Sequence, residues 1–172
     1  MDISRRNWIF QSIAMKIGGG LFAVEGQNDE EARATQEETV FKVYPVGKVK
    51  KAAGTTFLEI FDKYVDAIKG LENYSHLFVI YWFHQNDTPE KRSILEVHPM
   101  GKKEIPLTGV FACRSPVRPN LIALSLCKIL SLENNRIIID KIDAFNDSPI
   151  IDLKPYVPAL DSTTENVRLP DW

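Results

Sequence analysis

Short apolar and β-branched runs, separated by turn-forming residues, fill the chain from residue 40 onward and predict strands more than helices. Val40, Val43, Val46 and Val49, with Phe41 and Tyr44, predict a first strand interrupted at Pro45 and closed near Lys51. A second covers residues 56–60, after the Ala52-Ala53-Gly54 turn. Asp62 then looks like a helix N-cap, with Val65, Ile68 and Leu71 on one face and Gly70 as the stop; this is the single short helix predicted. Residues 76–83, HLFVIYWF, form an apolar run of strand length, which predicts a central strand buried on both faces. Residues 93–98, 108–113 and 121–132 are further strands, Glu133-Asn134-Asn135 is a hairpin turn into residues 136–142, and residues 148–153 complete the set. About seven strands and one helix predict a mostly β fold, a small closed antiparallel β-barrel. No G-x-G-x-x-G follows a strand, which argues against a Rossmann-type nucleotide fold.

Residues 1–38 stand apart from this pattern. Ser4-Arg5-Arg6, followed by Trp8 and Ile9, resembles a twin-arginine export signal. The stretch 8–24 is weakly apolar and broken by Lys16, so no stable membrane insertion is expected. Three readings stay open: an export signal, an amphipathic tail, or sequence upstream of a true start such as Met15. Residues 26–38 hold five acids against Arg33 alone and almost no large apolar group, which predicts a flexible linker. The expected organisation is a signal-like segment and acidic linker over 1–38, then one barrel domain over 39–172.

Length and composition agree with one soluble domain: 172 residues, 44% apolar, 26% charged. A net charge of −2 supplies no general attraction to nucleic acid, so any anion site must be local. One stretch qualifies. Residues 97–128 carry Lys102, Lys103, Arg114, Arg118 and Lys128 against Glu104 alone. Cys113 and Cys127, in apolar surroundings, read as buried free thiols. Neither they nor His76, His84 and His98 have metal-ligand spacing, so no metal site is predicted.

Three segments carry candidate chemistry. In Arg114-Ser115-Pro116-Val117-Arg118-Pro119-Asn120 two prolines fix φ and remove two donors, predicting a rigid loop that displays two guanidiniums suited to carboxylate or phosphate. The alternative is an Arg pair that braces neighbouring loops. Between 143 and 156, Asp143, Asp147 and Asp152 punctuate a turn and a strand. Asp152 and Lys154 share a face and can simply pair, while Tyr156 offers a ring on which a base can stack. His84 and Gln85 lie where the central strand runs into a loop, a frequent place for ligand groups. These residues alone reach a β-barrel binding or catalytic domain and leave the reaction open.

Taken together and in order, GLENYSH, the His98-Pro99 pair, GVFACRSPVRPNLIALS and DSPIIDLKPYVP resemble the TsaA/TrmO family over residues 43–161. The resemblance implies a TsaA-like barrel and a homodimer with S-adenosylmethionine near the subunit interface. It implies a cytoplasmic enzyme that methylates N6 of threonylcarbamoyl-adenosine beside the anticodon, with a tRNA anticodon stem-loop as partner. Position by position, it suggests His84, Gln85, Arg114, Leu124 and the segment Ser148, Pro149, Ile150, Ile151 for the cofactor. It suggests Arg118, Asn120, Lys154 and Tyr156 for substrate, and Asp143, Asp147 or Asp152 as the base. The chain departs from longer members in a short 49–56 loop without a Gln-Pro-Gly-like contact, in Met100, Cys113, Leu121 and Ala123, and in no further carboxy-terminal domain being expected.

Overall fold

The computed structural model describes residues 40–163 and 165–172, so the signal-like segment and acidic linker lie outside the described residues. Eight strands follow in chain order: β1 (Gly47–Ala52), β2 (Thr55–Ile60), β3 (His76–Trp82), β4 (Glu96–Val97), β5 (Thr108–Gly109), β6 (Ile122–Glu133), β7 (Arg136–Ile139) and β8 (Pro149–Pro155). Six of them close an antiparallel barrel in the order β1-β2-β7-β6-β3-β8, and β4 pairs with β5 outside it. Closure leaves no unpaired edge, which is how a small sheet buries its backbone groups without a second layer. The predicted barrel is the observed one.

Hairpin chemistry sets the register. Ala53 and Gly54 join β1 to β2 with φ of 50° and 79°, the doubly positive pair that a tight two-residue turn needs. Asn134, at φ 55°, begins the equally short β6–β7 turn. Gly47 is required at the seam, because a Cβ there would meet the Glu59 carbonyl oxygen at 2.3 Å. That close approach lets β1 pair with β2 on one side and β8 on the other, Gly47 standing opposite both Ile60 and Ile150. Inside, Val49, Leu58, Leu77, Val79, Cys127, Ile137 and Ile150 are fully buried and pack as one core.

Several expectations change in detail. The first strand begins at Gly47, leaving Phe41, Val43 and Tyr44 exposed on an extended lead-in, because Pro45 has no N–H to give a ladder. The expected helix is a 3-10 helix, Asp62–Ile68, with Phe61 in the cap position and no side-chain cap. Among the described residues the α-helices are two single turns instead, α1 (Pro89–Arg92), capped by the Thr88 hydroxyl, and α2 (Pro158–Asp161). β3 is not buried on both faces: burial alternates along it, with Leu77, Val79 and Tyr81 inside and Phe78, Ile80 and Trp82 half-exposed. The strands expected over 93–98 and 108–113 shrink to β4 and β5, two residues each. Beyond Gly109 the chain turns to bring Arg118 back against it.

Candidate functional site

One end of the barrel gathers the chemistry. Here β3 finishes and β6 and β8 begin, with Tyr81 opposite both Ala123 and Ile150. Strand alternation points Tyr81 inward, and its hydroxyl donates to the backbone carbonyl of Asp143. Burial, together with the Asp143 carboxylate, holds the Tyr81 phenol above its ordinary pKa. Two clefts meet at Tyr81, Phe83 and Asp143. The first, about 510 Å³, adds Lys51, His84, Gln85, Asn86, Lys91, Phe145 and Ser148. The second, about 550 Å³, adds Phe111, Arg114, Arg118, Asn120, Leu124 and Ser125. Both volumes suit a small-molecule ligand.

The loop after β3 is clamped to the proline-rich loop. Asp87 accepts from Arg92 Nε at 2.8 Å and from the Trp82 indole at 2.9 Å, which holds its carboxyl below the ordinary range. Arg92 also donates to the Pro119 carbonyl at 2.8 Å, and Asn86 donates to the Pro116 carbonyl at 3.0 Å. Lys91 ties the same loop internally, reaching Asn86 Oδ1 at 2.8 Å. His84, Gln85 and Pro116 line the first cleft together. His84 borders the first cleft, and its Nδ1 is buried with no hydrogen-bond partner among the described residues.

The two arginines of the loop differ. Arg118 donates to the carbonyls of Val110 and Cys113 and lies over the Phe111 ring, 6.0 Å from its centroid. Arg114 is exposed on the rim of the second cleft. The three aspartates separate as well. Asp147 pairs with Lys50 at 2.6 Å and Asp152 with Lys154 at 3.0 Å, while Asp143 takes part in no ion pair among the described residues and borders both clefts.

Not every expected site residue reaches the clefts. Ile150 is fully buried in the core and its carbonyl accepts from the Val46 N–H, so it offers a ligand nothing. Pro149 and Ile151 border a separate groove with Trp82 and residues 41–45. Asp152 borders a small apolar crevice with Tyr64 and Ile68. Tyr156 donates its backbone N–H to His76 and packs edge-on against Phe78, at the opposite end of β3, roughly 17 Å of strand from Tyr81. Conversely, Lys51, Tyr81, Phe83, Asn86 and Lys91 belong to the site and were not singled out from sequence. Tyr81 had one legible signal, a hydroxyl on the inward register of Leu77 and Val79 at a strand end.

Both cysteines are free thiols, as expected, and one of the two is buried as expected. Cys127 is buried, its pKa pushed up to about 12 by desolvation, whereas Cys113 is only partly buried and borders the second cleft.

The profile of the tRNA-methyltransferase O N-terminal domain matches residues 41–162. The chain belongs to that family. A probable S-adenosyl-L-methionine-binding protein of Methanocaldococcus jannaschii is 47% identical over 122 residues, which cover 71% of this chain and 97% of that one. A human tRNA (adenine(37)-N6)-methyltransferase is 34% identical over 64% of this chain and 24% of its own length. A crystal structure of TrmO superposes with a TM-score of 0.60 at 28% identity, covering 76% of this chain and 64% of that one. This chain therefore spans less than two thirds of the solved TrmO chain. The TrmO-type domain accounts for the barrel and for the order of its motifs, and the site residues fall within residues 41–162.

Proposed function

We propose that this protein is an S-adenosylmethionine-dependent tRNA methyltransferase, acting on N6 of threonylcarbamoyl-adenosine beside the anticodon. The observation that carries the reading is the pair of clefts meeting at Tyr81 and Asp143 in a TrmO-type domain. The residues fit the cofactor's chemistry. A zwitterionic, partly aromatic ligand needs cations, acceptors and apolar walls, and Arg114, Lys51, Asp143, Phe83 and Leu124 supply them. His84 and the exposed Gln85 add polar side chains to the lining of the first cleft.

When bound, S-adenosylmethionine supplies a methyl group on a sulfonium, open to in-line displacement. The protein's share is then positioning, worth up to ~7–11 kcal/mol in well-oriented reactions. The clamp through Asp87, Arg92 and Asn86 holds both loops still. Asp143 is the candidate base, since Asp147 and Asp152 are occupied by lysines. Its carboxylate would take the proton that the adenine amine loses, while Tyr81 fixes the Asp143 backbone. Arg118, through Phe111, and Asn120 shape the second cleft. Lys154 and Tyr156, at the far end, would serve only a more distant part of a bound anticodon stem-loop.

Calorimetry of the full chain with S-adenosylmethionine is the first test, and absence of binding at millimolar ligand sinks the proposal. Methylation of tRNA from a strain lacking its own enzyme then decides the substrate, and Asp143→Asn should cut kcat by about 100-fold or more at saturating cofactor. The site of action follows as cytoplasmic, where tRNA and the cofactor are found. A reporter fused to residues 1–38 and exported through Arg5-Arg6 would count against it. Among the described residues no helix is long and apolar enough to cross a membrane.

A second copy completes the reading. On the outer face Ile122, Leu124 and Leu126 of β6 lie opposite Trp82, Ile80 and Phe78 of β3, all at least partly exposed. A continuous apolar patch of this kind marks a protein interface. Leu124 borders the second cleft, so a homodimer through this face would bring the partner near the cofactor. A second reading, a binding module without methyltransferase activity, is favoured by one fact: the relative matched almost along its full length is named only as a binding protein. Cofactor binding without tRNA methylation would establish it.

A further inference from the structure

A third cleft, about 840 Å³, opens on the other side of Arg114 and is not used by the chemistry above. Trp172 forms part of its wall, facing the loop that carries Met100. Trp172 lies outside the family match, which ends at residue 162.

The loop opposite is anchored and basic. Pro99 and Ile105 are buried at its two ends, and the His98 ring donates from Nδ1 to the Ile105 carbonyl at 2.7 Å. Between these anchors Met100 and Gly101 turn with positive φ, 57° and 70°, and the chain pushes Lys102 and Lys103 into solvent. Glu104 is the single acid of that loop. Arg114 is the cation in the wall of this cleft, and with Cys113 and Ser115 it is shared with the cleft that reaches Tyr81 and Asp143; Lys102 and Lys103 stand exposed in the adjoining loop, next in sequence to the lining residue Gly101.

We propose that this cleft receives an unstacked nucleobase of a single-stranded RNA loop, stacked on Trp172, with the adjoining phosphates held by Arg114, Lys102 and Lys103. The inference rests on the tRNA reading above and extends it to a base other than the one that reacts. Indole and guanidinium planes are the groups that proteins offer to unpaired bases, and stacking tolerates any base. Trp172 keeps 44% of its surface exposed, which suits a ring with one face free. A purely apolar ligand would gain nothing from Arg114 in the wall or from the lysines of the adjoining loop. The shared Arg114 sets this base next to the reacting one along the same strand.

The test uses the full chain, a fluorescein-labelled anticodon stem-loop RNA, and a set of the same RNA lacking one loop base at a time. Trp172→Ala should weaken binding of the intact RNA by roughly 5- to 150-fold. Trp172→Tyr should keep most of the affinity. One member of the abasic set should lose its sensitivity to Trp172→Ala, and cofactor affinity and melting temperature should stay unchanged. Equal binding of RNA by wild type and Trp172→Ala overturns the proposal. So does a Trp172→Ala defect that every abasic RNA shows equally, or one that follows a lower melting temperature. A wild-type chain that binds cofactor but not RNA overturns both readings, whereas one that methylates tRNA and binds RNA only as well as Trp172→Ala does overturns this inference alone. A chain that binds RNA through Trp172 but no cofactor overturns the methyltransferase reading and leaves this one standing.

Discussion

Arg118 donates to two backbone carbonyls, and its Nε is buried with no partner among the described residues; Arg114 stands exposed between two clefts. Removing Arg118 strips charged donors from the Val110 and Cys113 carbonyls, at about 1.5–3 kcal/mol per bond of this kind. Arg118→Ala should therefore melt several degrees lower, and Arg118→Lys should not restore it fully, because an ammonium lacks the planar face that lies over Phe111. Arg114→Ala should melt like wild type and bind S-adenosylmethionine at least about tenfold more weakly, as the loss of one charge-assisted bond predicts. Scanning calorimetry and titration calorimetry on both variants separate the roles. If Arg114→Ala melts low and binds normally, Arg114 is the brace instead. The sequence presents both as guanidiniums in a proline-rich loop and offers no means of ranking them. The difference arises from the chain turning after Gly109 to bring two carbonyls to Arg118 alone, a tertiary event that spacing does not encode.

At the scale of elements, the loop after β3 depends on Asp87. Its folded pKa is depressed, first by the Arg92 bond and then by the Trp82 indole. A depressed carboxyl contributes stability above its unfolded pKa of ~3.9 and loses it as pH falls through the folded value. Asp87→Asn should therefore be less stable than wild type at neutral pH, with the gap closing below about pH 4. Denaturant melts across that range give the answer, and a gap that persists at low pH would show the carboxylate charge to be irrelevant. The barrel seam offers a sharper case. Gly47→Ala places a Cβ against the backbone of Glu59, which cannot rotate away, so about 1–3 kcal/mol should be lost, or more. A stability equal to wild type would mean that β1 shifts freely between its neighbours. The strands themselves were legible, because alternation and β-branching are local. Less legible were the 3-10 helix and the shortened β4 and β5. A run of Val65, Ile68 and Leu71 at spacings of three fits either helical period, and β4 and β5 lie outside the barrel, where no further strand extends them.

For the whole molecule, residues 76–83 carry a tension between sequence and structure. Their unbroken apolar run predicted burial on both faces, yet only the inward register is buried, leaving Phe78, Ile80 and Trp82 beside the exposed Ile122, Leu124 and Leu126. Both statements hold if a second copy covers the outer face, since a strand then reads as buried on both sides only in the assembly. A two-fold axis through β3 and β6 would also set Leu124 of each copy near the cofactor cleft of the other. Leu126 lies on the same stripe and borders neither cleft. Leu126→Asp buries an unpaired charge in any such interface while costing little on an exposed strand face. Sedimentation velocity should find wild type dimeric and this variant monomeric, with similar melting in the dilute limit. Cofactor affinity should fall with the dimer, because the clefts would lose the partner's contribution. A wild-type chain that sediments as a monomer at high micromolar concentration removes the second copy. The apolar stripe then needs another partner, and the run in residues 76–83 was chosen for something other than self-association.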